Sequence, residues 1–357
     1  MKRSGTLASE VELSAVSYDQ AKSDLMKIRN ANRDDVRDEK YFNWRYLGRP
    51  GGQAPVIVMA RDRQGETVGA LALIPHLYWI NDALAPVGLL GDISVDEAWR
   101  GKRIAQQMMH FLSGLDAVRE LRYCMVLPNE AATRSLQKSG WSDVSRLDRS
   151  VRIVSIEREL RRRSAPAWLA KILSFGVTPV YERIFRAAPP DRSGAYEAAV
   201  LEEVHAGSDE LWGAIDKNGM VMACRDSDHL AWRFIRHPIK KYRFFVLTRD
   251  GVLQGYVAYH VRGEHCHIDD VLCRREPDLA AYLLYRFVLH QREAGAVNTV
   301  AVQINRNYAS QPALTRVGFS RRRDFQRVMI KPRDDVTGDL AFLNGMNWFV
   351  TSGDKDV

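Results

Sequence analysis

The sequence predicts an α/β protein with a mixed sheet, laid out twice along the chain. Three observations predict it. Apolar, β-branched runs alternate with segments of helical period, and Leu89 to Leu112 (LLGDISVDEAWRGKRIAQQMMHFL) passes from one to the other through a glycine turn. Landmarks of the first half recur in the second at a spacing of 178 residues, from Asp92 and Asp270 to Trp141 and Phe319. The length, 357 residues, suits two domains.

The elements follow in order. Tyr18 to Ile28 has helical spacing between polar flanks. DEKYFNWRYLGRP (Asp38 to Pro50) is aromatic-rich and ends in the turn Pro50-Gly51-Gly52. Val56 to Ala60 and Thr67 to Leu73 form a hairpin around Asp62-Arg63-Gln64-Gly65. His76 to Ile80 continues as strand, and Ala85 to Val95 is the strand that enters the glycine turn. Ile104, Met108, Met109 and Leu112 mark the helix that follows. Arg122 to Leu127 is strand. Pro128-Asn129 opens a helix over Glu130 to Lys138, stopped by Gly140, and Leu147 to Val154 closes the first copy as a strand.

Residues 156–196 have another character. Glu157 to Arg163 is charged, Trp168 to Phe175 has helical spacing, and Thr178-Pro179 is expected to start a separate short helix carrying Val180, Tyr181, Ile184 and Phe185 on one face. Between Ser155 and Ala187 there are seven Arg or Lys and three Glu, about half of the chain's net +8. The plain reading is a basic helical linker packed on the domains. A second reading is peripheral membrane contact through 157–187, or a polyanionic acceptor. A nucleic-acid partner would suit the charge, but the basic residues are not interleaved with aromatics in a stacking pattern.

The second half, 197–357, repeats the first, 1–155. DHLAWRFIRHP (Asp228 to Pro238) echoes EKYFNWRYLGRP, pairing Trp232 with Trp44 and Arg233 with Arg45. Phe244 to Leu247 and Leu253 to His260 form the equivalent hairpin. The constant offset aligns Asn129 with Asn307, Leu136 with Leu314 and Gly140 with Gly318. Opposite Arg100 to Ala105 stand Asp278 to Leu283, acidic and without glycine. The second copy is therefore expected to be structural or acceptor-shaping.

Composition adds limits. The chain is 46% hydrophobic, enough for a sizeable core. Four cysteines make no CxxC pair, and MKRSGTLASEVEL has no apolar leader, so a reduced, cytoplasmic protein is expected. His265 and His267 share a strand face, but a third and fourth ligand are not evident, so no metal is expected.

The chemistry gathers where Arg100, Gly101, Lys102 and Arg103 precede a helix. Unpaired N–H groups and the macrodipole make such a start an anion site, and the anion that fits is a pyrophosphate. This order of elements resembles the GNAT acyltransferase superfamily. Its acyl-CoA motif, R-x-x-G-x-G/A, maps onto Arg100-Gly101-Lys102-Arg103-Ile104-Ala105, and its N-x-x-A with a later G-F onto Asn129, Ala132, Gly140 and Trp141. The resemblance covers residues 35–155 well and 225–330 more weakly. It implies two tandem GNAT-like domains, the second degenerate, and an N-acyltransferase using acetyl-CoA or another acyl-CoA as co-substrate. The acyl group would pass to a primary amine by direct attack in a ternary complex, the cleft between the copies receiving the acceptor.

By the same resemblance, the backbone from Gly101 to Ala105 would hold the pyrophosphate, and the strand edge at Ile93, Ser94 and Val95 would pair with pantetheine. A backbone N–H there would polarise the thioester carbonyl. Asp92 is the candidate base, and Asn129 would orient coenzyme A or cap its helix. Two departures stand out. The usual fourth-position glycine is Arg103, which fits if the first helical turn keeps φ below zero. The tyrosine usually found seven residues after the asparagine is Leu136. A non-catalytic acyl-CoA-binding protein is the alternative. The aromatic-Trp-Arg stretches and the ending NWFVTSGDKD (Asn347 to Asp356) resemble tandem members associated with acylation of surface-polysaccharide amino sugars.

Overall fold

A computed structural model describes residues 10–51, 53–80, 82–162, 164–188, 195–305, 310–332 and 347–355. The first half contributes β1 (Glu12–Val16), α1 (Tyr18–Ala31), α2 (Glu39–Tyr46), β2 (Val56–Arg61), β3 (Thr67–Ile80), β4 (Ala83–Val95), α3 (Ile104–Ser113), α4 (Asp116–Arg119), β5 (Tyr123–Val126), α5 (Glu130–Lys138) and β6 (Ser142–Ile153). The connecting segment holds α6 (Ile156–Arg162) and α7 (Ala167–Ile184). The second half begins with β7 (Tyr196–Leu201), α8 (Ser208–Ala214), β8 (Met220–Ala223) and α9 (Ser227–Leu230), which runs into a π turn at Ala231–Ile235. It continues with β9 (Tyr242–Arg249), β10 (Val252–Arg262), β11 (His265–Cys273), α10 (Leu279–Ala294), β12 (Thr299–Asn305), α11 (Ser310–Arg316), β13 (Ser320–Pro332) and β14 (Asn347–Phe349).

These strands form one mixed sheet of fourteen, whose main path is β1-β2-β3-β4-β5-β13-β6-β12-β11-β10-β9-β7. The centre of that path is an exchange. β13, the last long strand of the second half, lies beside β5 of the first, and β6, the last strand of the first half, lies beside β12 of the second. β6 and β13 then pair antiparallel at the middle. The two halves thus share one continuous sheet.

The landmarks that the sequence aligns between the halves take matching geometry. Trp44 and Trp232 stack at 5.4 Å between centroids. Each donates its indole N–H to the other's backbone carbonyl, at 2.8 Å from Trp44 and 3.0 Å from Trp232. Both are buried, so the indoles are core anchors that tie the halves together. Gly140 and Gly318 end their helices at φ +83° and +79°, where glycine avoids the Cβ clash. Behind each, the aromatic N–H returns to the leucine carbonyl, from Trp141 to Leu136 at 3.1 Å and from Phe319 to Leu314 at 2.9 Å.

Helices cover both faces. α3 and α5 pack one side of the first half through Ile104, Met108, Leu112 and Leu136, while α1 and α2 pack the other through Leu25, Ile28, Phe42 and Trp44. Asp38 starts α2 by accepting the N–H of Tyr41 at 2.9 Å, so the aromatic stretch is helical.

Two expectations need correction. Thr178-Pro179 does not start a second helix: α7 runs unbroken from Ala167 to Ile184 with Pro179 inside it. The proline removes one backbone donor from the helix, which the remaining turns tolerate. The offset of 178 also fails around the glycine turn. It holds along β4 and β11, where Leu90 and Ser94 face Leu73 and Ala70 as Ile268 and Leu272 face Tyr259 and Tyr256, so Asp270 stands at the position of Asp92. At the helix starts Arg103 corresponds to Asp278, because these two residues, both left-handed, precede α3 and α10. Asn307, aligned with Asn129, lies outside the described residues.

Candidate active site

The site grows from a fork in the sheet. β4 and β5 are parallel and paired at Gly88 with Cys124 and Leu89 with Met125. Beyond that point β5 soon ends, while β4 runs on to Val95 paired with β3. The far edge of β4 is therefore released from its neighbour just where Ile93, Ser94 and Val95 lie. A bulge sits in the same place, with Asp92 and Ile93 opposite Leu71. Ile93 and Val95 pack toward α3, while the Ser94 hydroxyl is buried with no hydrogen-bond partner among the described residues.

The chain then turns into α3. Asp96 accepts the N–H of Ala98 at 2.9 Å and opens a single 3-10 turn, Glu97–Trp99. Gly101 takes φ +83°, and Arg103 takes φ +63° and ψ +21° as the residue before the helix. The expected negative φ at Arg103 is thus corrected: the position is left-handed, which is the physical reason glycine suits it. The first helical backbone bond runs from Gln107 N–H to the Arg103 carbonyl at 3.0 Å. The N–H groups of Ile104, Ala105 and Gln106 therefore precede the helical ladder. Space is available in front of them, since a side chain at Gly101 would meet no protein atom within 4 Å.

The cations around this turn differ in freedom. Arg100 donates to the Asn32 side-chain carbonyl at 2.7 Å. Lys102 lies 4.1 Å from the Trp99 ring centre and 3.2 Å from Glu10. Arg103 is exposed and has no ion pair or side-chain hydrogen bond among the described residues. It borders a polar groove of about 470 Å³, lined also by Gln106, His110, Lys138, Ser139 and Lys331. His110, Lys138 and Lys331 carry no motif signature. They come from α3, α5 and β13, and only the fold brings them together.

Asp92 is held from several sides. Its carboxylate accepts the Tyr46 hydroxyl at 2.6 Å and lies 3.3 Å from Arg45 and 3.8 Å from Arg29. It is 8% exposed, at φ +49°. These contacts make it a brace between the bulge and the helices α1 and α2 behind it. Arg29, Arg45 and Tyr46 were not signalled by the sequence, because their partner lies at least 46 residues away. Asn129 caps α5, its side-chain carbonyl accepting the N–H of Ala132 at 2.9 Å. Leu136 is 1% exposed in the core between α5 and the sheet.

The second half has the same fork in a different state. β11 and β12 pair in parallel from His265–Ile268 against Thr299–Val302, and β11 then continues paired with β10 only. The chain's own tail occupies that place. The Ser352 hydroxyl donates to the Ile268 carbonyl at 3.2 Å, Thr351 to Asp270 at 3.0 Å, and the Lys355 ammonium meets Gln303. Arg233 secures the tail by donating to the carbonyls of Gly353 at 2.5 Å and Lys355 at 3.0 Å. Beneath it Arg225 is wedged against Asp270 at 3.2 Å and Asp354 at 2.7 Å, all three buried. Burial holds the Asp354 carboxyl above its ordinary range despite Arg225. At the start of α10, Asp278 pairs with Arg316 and stands where the first half has Arg103.

The halves pack closely around the stacked indoles. Around Trp44, His76, Trp232 and Arg233 only about 30 Å³ is left, room for one water but not for an acceptor.

No family model matches the sequence, and no curated protein does. Solved structures do match in fold. A conserved protein of unknown function from Enterococcus faecalis V583, described as a probable N-acyltransferase, aligns with TM-score 0.64 and 9% identity over 91% of this chain and 73% of its own. A GCN5-related N-acetyltransferase from Anabaena variabilis aligns with TM-score 0.63 and 12% identity over 91% of this chain and 74% of its own. The N-myristoyltransferase of Saccharomyces cerevisiae, solved with bound myristoyl-CoA, aligns with TM-score 0.53 and 11% identity over 91% of this chain and 83% of its own. Likeness at such identities is likeness of fold. The chain has the GNAT fold, and each match extends across both halves.

Proposed function

We propose that this protein is an acyl-CoA-dependent N-acyltransferase whose donor site lies in the first half. The observation that carries the reading is the conjunction at α3: a strand edge released by the β4/β5 fork leads straight to a helix start with open N–H groups and exposed cations. The residues suit the ligand. The N–H groups of Ile104, Ala105 and Gln106 would hold the pyrophosphate, with Arg100, Lys102 and Arg103 neutralising it. The groove through His110, Lys138 and Lys331 would take further phosphate charge. The edge at Ile93, Ser94 and Val95 would pair with the pantetheine amides. Acyl-CoA, when bound, supplies the acyl group as a thioester.

In this reading Asp92 is a positioning residue. It fixes the bulge, and the bulge aims the neighbouring N–H at the reacting carbonyl. Asn129 keeps α5 in place behind the groove. The two copies, 1–155 and 197–357 around the linker 156–196, divide the work: the first holds the donor, and the second, its fork filled by the tail, shapes and supports. The acceptor is a primary amine. Amino sugars are the first to assay, because the ending NWFVTSGDKD resembles tandem members associated with surface-polysaccharide acylation.

Titration calorimetry tests the donor site. Wild type is expected to bind acetyl-CoA, and Arg100→Ala/Arg103→Ala to bind at least about tenfold more weakly, since charge-assisted bonds contribute about 1.5–3 kcal/mol each. No binding by wild type would sink the proposal. The buried Leu136, where a proton-donating tyrosine would stand, favours a second reading as a non-catalytic acyl-CoA-binding protein. Binding without release of free thiol across a panel of amines would select that one.

A further inference from the structure

The connecting segment carries a surface that acyl transfer does not use. Trp168, Ile172 and Phe175 recur at i, i+4 and i+7 along α7 and are 66%, 62% and 86% exposed. Leu173, Val177, Val180 and Ile184 make a second exposed apolar stripe on the same helix. Scattered exposed apolar residues are ordinary, but a contiguous set of this size marks a contact surface.

Charge identifies what it contacts. Arg158, Arg161, Lys171, Arg183 and Arg186 are all exposed around these stripes. The acids of the segment are mostly turned inward. Glu182 accepts from Arg152 at 3.0 Å and faces Arg292 at 2.7 Å, and Glu159 is 7% exposed. Only Glu157 reaches the surface side, 3.9 Å from Arg161. The outward face is thus apolar and cationic, while the anions hold the helix to the body. Phe185 helps to seat it by packing against Gly318.

We propose that α6 and α7 dock this protein on an anionic bilayer surface. Apolar side chains of α7 would enter the boundary of the acyl chains, and the arginines would meet lipid phosphates. No helix among the described residues is long and apolar enough to cross a membrane, so α7 lies along the surface. A second copy of the chain is the weaker occupant, because a symmetric contact would bring this cationic rim against itself.

The test is flotation of the full chain with vesicles of phosphatidylcholine alone and with vesicles in which phosphatidylglycerol replaces part of it. Wild type is expected to float with the anionic vesicles and at least about tenfold less with the neutral ones. Trp168→Ser/Ile172→Ser/Phe175→Ser should lose at least about tenfold in vesicle affinity while its circular dichroism stays unchanged. Arg158→Glu/Arg186→Glu should abolish the preference for anionic lipid. Wild type that floats with neither vesicle overturns the proposal. So does a dimer in sedimentation that the triple serine variant turns into a monomer, since the face would then cover a second copy.

Discussion

Arg103 and Asp92 both hold a left-handed backbone conformation, at the two ends of the same strand-to-helix passage. Each costs about 1–2 kcal/mol relative to an ordinary conformation, and each is kept by its surroundings: the fork and the turn around one, Tyr46 and two guanidiniums around the other. His237 offers a test at this scale. Its ring lies 4.5 Å from that of Trp44 and 5.6 Å from that of Tyr242, and its Nδ1 accepts the N–H groups of Ile239 and Lys240. Burial first, then Arg233, pushes its pKa down to about 3. The folded protein keeps it neutral, whereas the unfolded chain takes up a proton near its ordinary value of about 6.5. Its stabilising effect is therefore complete above that value and lost progressively as pH falls toward 3, amounting to about 2 kcal/mol at pH 5. His237→Asn keeps an acceptor for the turn and removes the titration. Its urea midpoint should fall less between pH 7.5 and pH 5 than that of wild type, and an equal fall would contradict the assignment.

Among elements, α3 matters most, because its first residue is also the edge of the proposed donor site. Gly69 on β3 lets it approach: a Cβ there would sit 3.1 Å from both Ile104 Cγ2 and Met108 Cε. Gly69→Val should push the start of α3 outward. Overpacking of this kind costs about 1–3 kcal/mol, so acetyl-CoA affinity is expected to fall at least about tenfold, read by calorimetry alongside a lower melting temperature. Unchanged affinity would separate the helix start from binding. Local pattern made most of these elements legible. The hairpins, the helix over Glu130–Lys138 and the turn into α3 are written in period and glycine placement, which act within a few residues. The unbroken α7 was not legible, because a proline inside a helix removes one donor without dictating whether the helix stops there. Arg29, Arg45 and Tyr46 around Asp92 were not legible either, since nothing in their local spacing reports a partner on a distant strand.

For the whole molecule, the strand exchange makes the halves interdependent. Residues 1–155 alone would leave the β5 edge without β13 and β6 without β12. Unpaired edges of this kind seek other strands. That fragment is expected to form a dimer in which each β6 fills the place of β13 beside the other copy's β5, measured by sedimentation equilibrium. A stable folded monomer would contradict the prediction.

The reciprocal indole bonds of Trp44 and Trp232 and the central pair of β6 with β13 have the form of a two-fold interface. The arrangement is that of a homodimer joined end to end by residues 156–196. In a pair joined this way one fork can keep the proposed donor site while the other takes in residues 351–355 and an aspartate where its counterpart keeps an arginine.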